Sequence, residues 1–188
     1  MESKQYQKRR SQLARSFAMP IVITAHAQMQ RKGDAAYGFD QEPNFWYLTG
    51  ISEPDWGLII DGEKAFLVQP DVSEVQRLFE GGMSASEAKE MSGVDDVIDR
   101  KQAMALIGEL ASARKSAATI LPDKHSKYFG FVPNPAPAQM TRRLKRLFTE
   151  VIDCRLDLSK QRAIKQPEEI AAITRAIDLT ISSFQSVK

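Results

Sequence analysis

The apolar residues of this chain fall into short runs divided by turn signals, with helical spacing between several of them. From Lys4 to Phe17 the pattern predicts a helix, with Tyr6, Leu13 and Phe17 on one side and Lys8, Arg9 and Arg10 largely opposite. Met19-Pro20 ends it, and Ile21-Val22-Ile23-Thr24 reads as a short β-branched strand. Residues 26–40 have no clear period and contain Gly33 and Gly38, so a loop is expected there.

Gln41 to Asp61 is the least ordinary stretch. Phe45, Trp46 and Tyr47 are consecutive, so no single helix or strand face can bury all three alike. Thr49-Gly50 breaks the run, Glu53-Pro54-Asp55 supplies a turn, and Trp56–Ile60 reads as a buried strand ended by an Asp61-Gly62 hairpin turn. A second strand, Lys64–Gln69, follows and is stopped by Pro70.

Further along, Ser73 is placed to cap a helix over Val75–Phe79, and Ser84 or Ser86 to cap another through Met91, closed by Gly93. Val94–Ile98 suggests a brief strand. Lys101–Ala113 reads as a helix with Met104, Leu106, Ile107 and Leu110 inward. Ala118–Leu121 is a strand ended by Pro122, residues 125–137 are irregular, Ala138–Phe148 is helical and Val151–Asp153 is a last strand. Strands alternating with helices predict an α/β fold, and the hairpin-linked pair makes it a mixed central sheet flanked by helices.

From Ser159 the character changes. A short helical piece to Lys165 precedes Pro167-Glu168-Glu169, whose proline and acids suit the first turn of a strong helix. Ile170, Ile173, Ile177, Ile181 and Phe184 share one face of it. That face needs a partner, and the lack of a stop signal before Lys188 suggests a cut inside a longer protein.

Composition narrows the function without naming it. At 188 residues and a net charge of +2, the chain suits one domain with a fragment of a second, and gives no general case for nucleic acid or an anionic membrane. No run approaches the ~18 apolar residues of a membrane span. A single cysteine, Cys154, excludes an internal disulfide, fits a reducing cytoplasm and reads as a small core residue. The basic group Arg142, Arg143, Lys145 and Arg146 reads as a solvated helix face. Gly81-Gly82 lacks the rest of a phosphate loop, and Asp95-Asp96 would point apart on a strand. The two histidines, His26 and His125, lie in no ligand pattern.

Three segments carry a resemblance, the least specific being the opening helix with Arg9-Arg10 and Leu13. Tyr37-Gly38-Phe39-Asp40-Gln41 through Asn44-Phe45-Trp46-Tyr47-Leu48-Thr49-Gly50-Ile51-Ser52-Glu53-Pro54 resembles the signature Y-x-F-R-Q-x-x-x-F-x-Y-L-T-G-F-x-E-P. This is the signature of the N-terminal domain shared by aminopeptidase P, prolidase and creatinase. Arg162-Ala163-Ile164-Lys165-Gln166-Pro167-Glu168-Glu169-Ile170 is similar to the R-x-x-K-S-P-E-E-I start of that family's catalytic domain. The resemblance implies a creatinase N-terminal, ribonuclease-H-like domain over 1–158, and a linker plus the first helix of a metallopeptidase domain over 159–188.

It also implies a parent protein that is a Xaa-Pro aminopeptidase or dipeptidase acting on short proline-containing peptides. Its two divalent metal ions, usually manganese, would be held outside this chain by two Asp, one His and two Glu. The chain itself would carry no catalytic residue, metal or cofactor; its partners would be its own catalytic domain and homo-oligomer subunits, not nucleic acid or membrane. A catalytically inactive peptide- or protein-binding module of the same fold is the alternative. By resemblance, Asp34 and Phe79 are candidates for bordering a neighbouring subunit's substrate pocket. Asp40, Trp46 and Tyr47 are candidates for a subunit or domain interface. Asp40 stands where the family has arginine, Gly38 where proline is commoner, and Gln166 where serine caps the helix. Plainer readings stand beside these: Asp34 as a loop carboxylate, Phe79 as a helix-end apolar residue, and the aromatic cluster as core.

Overall fold

Ile21–Thr24 (β1) is apolar on both sides because both faces of the sheet it belongs to are covered. The computed structural model describes residues 2–73, 78, 81–123 and 125–187. Phe79, and all but Leu78 of the helix expected over Val75–Phe79, lie outside these. The other strands of the main sheet are Gly57–Asp61 (β4), Lys64–Val68 (β5), Asp96–Ile98 (β6), Ser116–Thr119 (β7) and Glu150–Asp153 (β8). A small hairpin, Gln30–Lys32 (β2) with Ala35–Ala36 (β3), stands apart. The sheet order is β6-β5-β4-β1-β7-β8. β4 runs antiparallel to both β1 and β5, whereas β5–β6, β1–β7 and β7–β8 are parallel, so β4 alone opposes the rest of this sheet.

Alternation along β1 splits the interior in two. Ile21 and Ile23 face a core shared with Ser3–Ala14 (α1), Pro43–Thr49 (α2), Ala85–Ser92 (α3) and Arg155–Ala163 (α7), through Leu13, Phe45, Leu48, Ala88 and Leu158. Val22 and Ile59 face a second core built with Arg100–Ala113 (α4) and Pro135–Leu147 (α6), through Ile107, Leu110 and Leu144. Each fully buried Leu or Ile contributes about 1.5–3 kcal/mol, so these faces decide the layering. The short Ser126–Phe129 (α5) precedes α6, and Pro167–Ser186 (α8) ends the described chain.

Turn chemistry fixes the joints. Ser84 and Glu87 form a capping box on α3, as do Asp99 and Gln102 on α4. Gly50 and Gly93 close α2 and α3 in the left-handed conformation.

Several expectations are corrected. Arg9 and Arg10 are buried, not set on an outer face, because each guanidinium finds carbonyl acceptors inside. Residues 26–40 include the β2–β3 hairpin, whose exposed, polar first strand leaves no apolar alternation to read. Met104 is 41% exposed, on the side of α4 that overhangs a cleft. α5 lies within the stretch read as irregular, and α6 starts at Pro135 because the Asn134 side chain caps it. α7 spans Arg155–Ala163 instead of Ser159–Lys165, and β7 starts two residues earlier than expected and ends at Thr119.

Candidate functional site

The buried stripe of α1 is Tyr6, Arg9, Arg10 and Leu13, the i, i+3, i+4, i+7 positions of one helix face. The spacing is legible in the sequence, but two of its four members are arginines, a residue type that ordinarily stays in solvent. Arg10 donates from Nη1 to the carbonyls of Leu48 (2.8 Å) and Ser92 (2.9 Å), and from Nη2 to Gly93 (2.9 Å). These acceptors end α2 and α3, where helices leave carbonyls unpaired and carry partial negative charge, so one cation satisfies two helix ends. Burial pulls the Arg10 pKa down to about 10, opposed by the nearby Asp95 carboxylate.

Arg9 turns toward the other end of the chain. Its Nη1 donates to the Tyr47 carbonyl at 3.0 Å, its guanidinium carbon lies 4.1 Å from the Tyr47 ring centroid, and its Nη2 pairs with Glu169 at 3.3 Å. Arg162 approaches the same ring at 5.8 Å and donates to Asn44 Oδ1 at 2.7 Å. Gln161 Nε2 donates to the Arg9 carbonyl at 3.0 Å, and Lys8 Nζ to Gln166 Oε1 at 3.4 Å. Two guanidinium groups thus approach the Tyr47 ring within the range of cation–π attraction, Arg9 the more closely. Segments more than a hundred positions apart, 41–53 and 161–169, meet here as a clasp.

The remaining polar residues of 41–53 hold its shape. Gln41 accepts from the backbone N–H groups of His26 and Glu42 and donates to the carbonyls of Ile51 and Glu53. Glu42 accepts from Phe45 N and from Asn44 Nδ2, presetting Asn44 for Arg162. Thr49 donates to the Phe45 carbonyl and accepts from Ile51 N. Gly50 has φ 77°, and a Cβ there would meet the Tyr6 ring at 2.5 Å. At Gln166, the backbone N–H donates to Glu169 at 2.9 Å, so Glu169 holds the start of α8 while pairing with Arg9.

The candidates named from sequence are scattered. Asp34 lies exposed in the β2–β3 turn, and Asp40 is an exposed loop residue whose carbonyl lies 3.0 Å from His26 Nδ1. Trp46 is 40% exposed on α2 while Tyr47 is buried. No hydrogen bond or ion pair joins Asp34, Asp40, Trp46 and Tyr47 to one another among the described residues. Cys154 is buried and its thiol is pushed up to about 12 by burial first and by Asp153 next, which removes it as a nucleophile. Among the described residues no three His, Cys, Asp or Glu side chains gather as a metal site, so the residues present do not fit one. No described helix is long and apolar enough to cross a membrane. The arrangement positions a helix.

Along α8 no residue is buried, and Ile170, Ile173, Ile177, Ile181 and Phe184 remain about half or more exposed. Exposed apolar stripes of that length commonly mark contact surfaces.

Residues 6–121 match the family model described as aminopeptidase P, N-terminal domain. The Xaa-Pro aminopeptidase of Haemophilus influenzae is 24% identical over 165 residues, covering 85% of this chain and 36% of that protein. The Xaa-Pro aminopeptidase of Escherichia coli K12 is 24% identical over 189 residues, covering 94% of this chain and 42% of that protein. Among solved structures, aminopeptidase P from E. coli with the inhibitor Pro-Leu superposes with a TM-score of 0.72 at 21% identity, over 94% of this chain and 42% of that one. At that identity the structural likeness is one of fold. The chain spans about two fifths of the length of the curated relatives it matches.

Proposed function

The chain belongs to the aminopeptidase P N-terminal domain family, and on that premise we propose that it is the non-catalytic unit of a proline-specific metallo-exopeptidase. In this reading residues 1–158 form the domain, and residues 159–188 form the linker and first helix of a catalytic domain. The clasp carries it: Arg9, Asn44 and Tyr47 grip Gln161, Arg162 and Glu169, fixing where α8 leaves while its apolar stripe stays bare. A domain that held its last helix only for itself would bury that stripe.

The parent enzyme would act on short proline-containing peptides in the cytoplasm, using two divalent metal ions, manganese by family habit, bound by residues beyond α8. No step of that chemistry is assigned to the residues described. Asp34, Asp40 and Trp46 are free for subunit contacts that narrow access to the active site, Phe79 is retained as a candidate from sequence, and Tyr47 acts inside the clasp. Homo-oligomers with closed symmetry are the expected assembly.

The test is an assay of a Xaa-Pro peptide with added manganese, using residues 1–188 and a version extended past Lys188. Release of the first residue by the extended protein alone supports the reading. Release by 1–188 alone overturns it, and inactivity of both supports instead a peptide- or protein-binding module.

A further inference from the structure

Where β1 and β5 end and β4 begins, the second core is incompletely filled. A cleft of about 140 Å³ lies there between α4 and α6. Its floor is the sheet face bearing Val22, Thr24, Ile59 and Val68. Gly57, paired with Val68 and Thr24, is the floor position without a side chain, and a Cβ there would meet Val68 Cβ at 3.2 Å. The close neighbour at Gly57 is Val68 itself, and the missing side chain leaves the floor low at that point. The walls are small where they could be large, with Ala103 on α4 and Ala136 on α6, while Met104 and Met140 overhang the opening.

The position follows from topology. The chain builds β4, β5 and β6 on one side of β1, then returns through α4 to build β7 and β8 on the other. The crevice beyond the carboxyl ends of strands at such a reversal is where open α/β sheets bind ligands. Both helices start at this end of the sheet, so their positive dipole ends lie beside the cleft. Charge at the mouth agrees: Arg100 and Arg143 outnumber Asp55 among the lining residues. Arg100 pairs with Asp71 at 3.5 Å in a solvent-exposed contact, and Arg143 has no ion-pair partner among the described residues. A space of this size holds about five waters at about 30 Å³ each, which is room for the inner part of a short alkyl chain while a charged end stays at the mouth.

We propose that the cleft between α4 and α6 binds a small amphipathic anion: a carboxylate at Arg143 and Arg100, with an apolar chain lying over Gly57 between Ala103 and Ala136. This does not depend on the peptidase reading. The apolar part is taken up by the sheet floor and the two methionines, whose flexible side chains adapt to its shape. The arginine pair selects the acid over the alcohol of the same length.

Octanoate, with about ten heavy atoms, is the probe, read by NMR of methionine methyl groups in residues 1–188. Met104 and Met140 are expected to shift saturably with a Kd on the order of 1 mM, while Met19 in the opposite core stays put. Octanol binds more weakly than octanoate, and Arg143→Gln weakens octanoate binding about fivefold. Ala136→Phe fills the cleft and removes the shifts; Arg142→Gln, on the exposed face outside the cleft, leaves them unchanged. Should Ala136→Phe not fold, Arg143→Gln at an exposed position carries the test. Absence of saturable shifts at about 20 mM octanoate, or equal binding of octanol and octanoate, overturns the proposal, as does a folded Ala136→Phe that binds normally.

Discussion

The guanidinium carbon of Arg9 lies 4.1 Å from the ring centroid of Tyr47, and the same side chain donates to the Tyr47 carbonyl and pairs with Glu169. One buried cation therefore ties α1, α2 and α8 together. Arg9→Ala strands a carbonyl and the largely buried Glu169 carboxylate, and is expected to lower stability by about 3 kcal/mol in urea unfolding. Glu169→Gln should cost clearly less, and in combination with Arg9→Met the two losses should be less than additive. Strict additivity would mean that Arg9 and Glu169 are not energetically coupled.

Gly50 and Gly62 make a paired test of close approach. Both have positive φ, 77° and 60°, but a Cβ at Gly50 runs into the Tyr6 ring whereas one at Gly62 meets open space. Gly62→Ala is expected to cost only about 1 kcal/mol of backbone strain. Gly50→Ala adds overpacking against a buried ring and should cost about 3 kcal/mol or more. Equal losses would show that α1 does not sit where described.

Alkaline pH should weaken the fold through Cys154. Its thiol titrates at about 12 when folded against an ordinary value of 9.0. The unfolded chain therefore loses its proton first. The stabilisation is complete below pH 9 and is lost as pH rises toward 12, at up to about 1.4 kcal/mol per pH unit. Tyr6, whose pKa burial also raises, acts with the same sign. Between pH 8 and 10.5 the native chain should lose about 2 kcal/mol more than Cys154→Ala. Parallel losses would contradict the burial of this thiol.

The layered fold was legible because it rests on strong local signals. The sequence marks Ile21–Thr24 to the residue, and it marks the ends of α3 at Gly93 and at Ser84 or Ser86, of which Ser84 is the cap, because β-branched runs, caps and left-handed glycines act locally. What escaped depended on partners distant in sequence. Arg10 looks like a surface residue until Leu48, Ser92 and Gly93 converge on it. Arg9 likewise needs Tyr47 and Glu169. The motif around Phe45 to Gly50 named a family correctly, yet its tyrosine is a buried partner of arginines, which no spacing within 41–53 announces. The cleft was invisible for a related reason: it is defined by side chains that are small or missing at Gly57, Ala103 and Ala136.

The central claim is that the clasp presents α8, apolar stripe bare, to a further unit of the same protein. Amide hydrogen exchange across 170–186 tests it most directly. In residues 1–188 these amides should exchange far faster than those of β4, since α8 buries no side chain. In a version extended past Lys188 they should slow by about 100-fold or more as the stripe is covered. Protection of α8 that is the same in both proteins would contradict the account.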